Sequence, residues 1–93
     1  MDKPRNIFFG QMTRIEVLQV LVDGKMPNGE IIEQATRLES LATIIPLIKR
    51  DHAENQKVAD ILRKEKPSDV TDFFIVETDE VEELIKSGEK LLA

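Results

Sequence analysis

Apolar residues fall into helical periods along most of this 93-residue chain. Residues 14–23 are the densest stretch: Ile15, Val17, Leu18, Val20, Leu21 and Val22 leave only the side of Glu16 and Gln19 polar. Just ahead stands "TRIE", Thr13 to Glu16, with a hydroxyl three residues before a carboxylate. That is the capping-box pattern, in which each side chain satisfies a backbone N–H that a first helical turn leaves unpaired. The β-branched content alone would also permit a strand ending at Asp23-Gly24. The cap is the more local and specific signal, and it predicts a helix over about 14–23.

The next periodic segment carries two apolar faces. At 100° per residue Ile31, Ala35, Leu38, Ala42 and Ile45 share one narrow stripe, spaced alternately by four and three as in a helix-packing seam. Leu41, Ile44 and Ile48 form a second stripe roughly 90° away. Few elements are available to cover two faces, so this helix is either central or shared with a second copy of the chain. Leu41, Ile44 and Ile48 are accordingly the candidate oligomer interface. Pro46 falls between the stripes and either kinks a long helix or opens a new one. "KRDHAENQK", Lys49 to Lys57, is nearly all polar, Val58, Ile61 and Leu62 restore an apolar face, and "EKPSD" at 65–69 ends the segment. A helical hairpin or small helical bundle centred on residues 30–66 is expected.

"DFFIVE", residues 72–77, combines aromatic and β-branched residues in the manner of a short buried strand, and "NIFF" at residues 6–9 is its most obvious partner. The other reading of the same letters is one helix through Phe74, Val81, Leu84 and Ile85. Asp79, with Glu82 three residues on, is a candidate cap for a last helix that Gly88 would end or interrupt. There is no internal repeat and no linker long enough to divide the chain. The expected fold class is mainly α, one domain over 1–93, with a candidate short β element from residues 6–9 and 72–77.

Between the first two periodic segments lies "DGKMPNGE", Asp23 to Glu30, whose two glycines around a lysine resemble a phosphate-binding loop. Such a loop needs Lys and then Ser or Thr directly after its last glycine, to bring an ammonium and a metal-binding hydroxyl to the phosphates. Here Gly29 is followed by Glu30 and Ile31, and a carboxylate would repel the ligand. As a turn the same residues are all used: Gly24 takes the left-handed conformation that ends a helix, Pro27 stiffens the loop, and Asn28 caps the next helix. Glu30 and Glu33 would then sit in that helix's first turn, where its dipole favours negative charge.

Composition narrows the functions. A chain this short buries only about 60 to 65% of its unfolded surface, so its core is modest. The absence of Cys removes disulfides, thiolate metal sites and cysteine nucleophiles, and agrees with a reducing, cytoplasmic setting. Ile7-Phe8-Phe9 is too brief for a signal-peptide core, and no stretch approaches the roughly 20 apolar residues of a membrane span. The net charge of −5 is unevenly placed. Residues 69–93 carry eight acids against Lys86 and Lys90, a balance of −6 that leaves the first 68 residues at +1. That argues against nucleic acid, whose binders present a basic stripe. Glu77, Asp79, Glu80, Glu82 and Glu83 instead form a candidate partner-binding surface for a protein with a basic face. Lys49, Arg50, Lys57, Arg63 and Lys64 could also receive that charge within the molecule.

Catalytic candidates are sparse. His52 is the only histidine and stands on a polar stretch beside Asp51, while acid–base work or metal binding would need partners supplied by the fold. No serine sits in a nucleophile elbow. With Tyr and Trp absent, base stacking is left to four Phe in two apolar pairs, better suited to a core. Glu30 and Glu33, one turn apart, with Asp60 in "KVADIL", would give three acids for a magnesium ion if two helices paired antiparallel. This arrangement faintly resembles the all-α nucleotide pyrophosphohydrolases of the MazG type, in which E-x-x-E on one helix faces E-x-x-D on another. The resemblance covers a few positions and departs at Lys57, which occupies the place of the second motif's glutamate. The expectation is therefore a non-enzymatic, self-associating interaction module without cofactor or metal: an adaptor, inhibitor or assembly factor in the style of phage and mobile-element accessory proteins. The alternatives are a magnesium-dependent nucleotide hydrolase using Glu30, Glu33 and Asp60, or an oligomer that sequesters a small ligand or nucleotide with Lys25, Arg37 or Arg50.

Overall fold

A computed structural model describes residues 12–93 and contains three helices packed together: α1 (Arg14–Asp23), α2 (Gln34–Leu62) and α3 (Asp69–Leu92). The fold is a small, mainly α bundle with no strand among the described residues. Helix α1 starts where its capping box dictates: Glu16 N donates to Thr13 Oγ1 at 3.1 Å, and Thr13 N donates to Glu16 Oε1 at 2.9 Å. It stops at Gly24, whose φ of +80° is the left-handed region and whose N–H returns to the Val20 carbonyl at 2.8 Å.

The loop that follows turns the chain. Gly29 N donates to Met26 O across Pro27 and Asn28, a β-turn with proline at its second position, and Lys25 and Ile31 form an isolated antiparallel bridge. Asn28 Oδ1 accepts from Glu30 N and so serves this turn, not the next helix. The expected start near residue 30 moves accordingly. Glu33 is the N-cap of α2, and Glu30 lies outside the helix.

Helix α2 runs unbroken through Pro46, for 29 residues or about 44 Å. Pro46 is exposed, as is Ala42, whose carbonyl loses its i+4 partner. That carbonyl can bond water, so the proline is tolerated without ending the helix. A single long helix thus spans most of residues 30–66, the expected centre of the bundle, and forms a hairpin with α3.

Residues 72–77 are helical, which corrects the expected strand; its partner segment, residues 6–9, lies outside the described residues. Ser68 caps the helix by accepting from Thr71 N at 3.2 Å, and Phe74, Thr78, Val81 and Ile85 then face the bundle at helical spacing. This amphipathic period outweighs β-propensity, which mostly reports packing context. Asp79 and Glu82 therefore lie inside the helix and cap nothing.

Gly88 is also interior and does not interrupt α3. It is buried where all three helices meet: a Cβ there would stand 2.9 Å from Ile45 Cδ1 and 3.4 Å from both Leu18 Cδ1 and Leu41 Cδ2. Around it Leu18, Leu21, Leu41, Ile45, Ile48 and Ile85 form the core. The two stripes of α2 fare differently from expectation. Ile31 is 74% exposed, Ala35 and Ala42 face solvent, and the central seam instead follows Leu41, Ile45, Ile48, His52 and Ala59.

Candidate interaction surface

The acids expected to bind a partner all lie on α3, but their spacing distributes them around the helix. Asp79 and Glu82 turn toward α2. Arg63 Nη2 donates to Asp79 Oδ1 at 2.7 Å while its Nη1 reaches Asp60 at 3.0 Å. Glu82 Oε1 lies 2.6 Å from His52 Nε2, and since a carboxylate accepts, Nε2 is the donor of this bond. His52 is buried in the α2–α3 seam, so this bond joins the two helices from within. Beyond it, Lys49 Nζ donates to Glu89 at 2.8 Å, and that hydrogen bond, followed by Coulomb attraction to the same carboxylate, raises the ammonium above its ordinary 10.5.

Glu77, Glu80 and Glu83 behave differently. They are exposed, make no ion pair among the described residues, and line one edge of an open cleft of about 1020 Å³ between the start of α1 and the middle of α3. Its floor includes Ile48, His52, Phe74 and Thr78, and its other edge Arg14, Glu16, Gln19 and Asp51. Arg14 is the basic residue of this lining, and it is already paired with Asp51 at 3.1 Å. The cleft is therefore strongly negative along one side and partly apolar at its base.

The candidate oligomer interface is placed elsewhere. Leu41 and Ile48 are buried inside one chain, and Ile44 is half-buried against α1, so α1 covers the second stripe of α2 without a second copy. Sequence spacing found both faces of α2 but could not show that an element of the same chain would occupy one.

The three acids of the hydrolase alternative do not converge. Glu33 occupies the N-cap position of α2 without a side-chain capping bond, Asp60 stands 27 residues later near the other end of that helix, about 40 Å away, and Glu30 is in the preceding turn. Among the described residues no group of acids, His or Cys is placed to hold a metal ion. The basic residues of the sequestering alternative are also dispersed: Arg37 is committed to the end of α1, donating through Nε to Leu21 O and through Nη2 to Val22 O, each at 2.7 Å. Nothing local in the sequence marks this anchor, because Arg37 lies 15 and 16 residues from the carbonyls it closes. No described helix is long and apolar enough to cross a membrane. No family model matches the chain, and no curated protein or solved structure matches it.

Proposed function

We propose that the protein is a non-enzymatic, self-associating interaction module of the cytoplasm that receives a basic segment of a protein partner along the cleft edge formed by Glu77, Glu80 and Glu83. One observation carries this reading: these three carboxylates line an open, partly apolar cleft, whereas their neighbours Asp79 and Glu82 are engaged by Arg63 and His52. A basic chain would meet attraction at the edge and apolar contact on the floor, the combination that gives both steering and affinity. Adaptor, inhibitor and assembly roles all use such a surface.

Crosslinking and affinity purification from the native host test it, comparing the wild type with Glu77→Lys/Glu80→Lys/Glu83→Lys. The triple reversal should abolish recovery of the partner while leaving the melting temperature within a few degrees, because these side chains are exposed and surface charges contribute little to stability. Undiminished recovery would remove the acid edge from the binding surface.

A further inference from the structure

The groove between α2 and α3 is longer than the helix that fills it. Helix α1 begins at Arg14, level with Asp51 of α2, and extends from there toward the glycine-capped end. On α2 the side that holds α1 continues at helical spacing from Ile44 and Asp51 to Asn55, Val58 and Leu62. On α3 the corresponding side continues from Leu84 and Val81 back to Glu77, Phe74, Phe73 and Val70. Among the described residues no element covers this second half of the groove, and its large apolar side chains are open: Val70 is 81% exposed, Phe73 64% and Val58 44%. Exposed large apolar residues gathered on one continuous side mark a contact surface in a way that scattered ones do not.

The charges that flank this half-groove indicate what covers it. Leaving aside Arg63, Asp60 and Asp79, which pair within the chain, the end of α2 and the loop after it carry Lys57, Lys64 and Lys66 against Glu65, whereas the start of α3 carries Asp69, Asp72, Glu77 and Glu80 and no base up to that point. A two-fold axis through the groove lays the α2 edge of one chain on the α3 edge of its partner and repeats the contact with roles exchanged. A surface with one basic and one acidic edge is complementary to itself under that operation, and a uniformly charged surface is not.

We infer that the uncovered end of the α2–α3 hairpin, around Val58, Leu62, Val70 and Phe73, binds a second copy of this chain in a two-fold dimer. This rests on the self-association half of the proposed function and relocates it from Leu41, Ile44 and Ile48. Glu77 belongs to both surfaces, whereas Glu80 and Glu83 lie farther along α3, so the dimer leaves those two acids open to a partner.

Sedimentation velocity on the full chain from low to high micromolar concentration is the test. The wild type should dimerise, and Val70→Ser/Phe73→Ser should weaken the dimer by roughly a hundredfold, since symmetry enters each apolar loss twice. The melting temperature of dilute protein should hardly change, because both side chains are already exposed in the single chain. Two charge variants provide an independent arm: Lys64→Glu/Lys66→Glu makes both edges acidic and Asp69→Lys/Asp72→Lys/Glu77→Lys makes both basic. Each should be monomeric alone, and the two mixed should form a heterodimer that loosens as salt rises. A wild type that stays monomeric at high micromolar concentration, or a dimer indifferent to the serine changes, overturns the inference. So does a chain that dimerises only once residues 1–11 are removed, which would make those residues the occupant. A dimer indifferent to the serine changes defeats this inference alone, a monomer that still recovers its basic partner defeats self-association with it but not the acid edge, and a dimer that recovers no partner defeats only the acid-edge reading.

Discussion

A methyl group added at Gly88 would meet Ile45 Cδ1 at 2.9 Å, inside van der Waals contact, with the Leu18 and Leu41 methyls close behind. Alanine would improve helix propensity by about 1 kcal/mol, but overpacking a closed core costs about 1–3 kcal/mol. The second effect wins, and Gly88→Ala should lower stability by about 1 kcal/mol. Ile45→Val removes the offending Cδ1 and by itself costs about 0.5–1.5 kcal/mol. Combined, the two changes should cost about 1 kcal/mol less than their sum in a urea-denaturation cycle. Strict additivity would mean that the helices do not meet at Gly88. Neither the close approach nor its partner was legible in the sequence, where a glycine five residues before Ala93 resembles a helix stop. Pro46 shows the converse: its residue type suggested a break, and only its position on the solvent side of α2 explains why the helix continues.

Helix α1 is short, and at 10 residues it lies below the length at which an isolated helix is stable in water. Its start is fixed by Thr13 and Glu16 and its docking by Leu18 and Leu21, but its far end depends on Arg37, whose guanidinium closes two carbonyls of the last turn. Gly24 is adapted to this contact as well as to the turn, for a Cβ there would stand 3.3 Å from Arg37 Cζ. Arg37→Ala should destabilise the protein by about 1–3 kcal/mol, the range for partly buried hydrogen bonds to a charged group, and amide exchange should quicken first in α1. A change below about 0.5 kcal/mol would assign the anchor to surface electrostatics. Between α2 and α3 the seam is held differently, by His52 and Glu82 within and by exposed pairs such as Lys49–Glu89 outside. Because the Lys49 ammonium is raised, its small contribution is fully present below its unfolded value and fades only as alkaline pH passes the folded one.

At the scale of the whole molecule, three elements share one small core, and none of them can be removed without exposing it. Among the described residues, Leu18 and Leu21 are two of the three fully buried large side chains, and both come from α1. A chain of residues 34–93 would keep the α2–α3 hairpin but expose the sides of Leu41, Ile45, Ile48 and Ile85 that α1 covers. Such a hairpin should lose cooperative thermal unfolding by circular dichroism while retaining helical signal, as expected of a domain already near the lower size limit for a stable core. A sharp transition near that of the full chain would show that α1 is peripheral. The acidity of the last 25 residues belongs to this scale too: it is a property of a whole helix that is split by the fold into an inner pair and an outer row.

Local chemistry settled what depends on neighbours within a turn. The capping box, the glycine stop, the proline turn of Asp23 to Glu30 and the mainly α character were all determined by the sequence, because hydrogen bonds between residues two to four apart need no other element. The helical alternative for residues 72–77 was also present in the letters, but choosing it over a strand required the bundle that rewards its inward face. Long-range pairings were decided by tertiary structure alone. Periodicity shows that a face is apolar without saying which element covers it, and so Leu41 and Ile48 turned out to face α1, Asp79 and Glu82 to face α2, and Val70 and Phe73 to face outward.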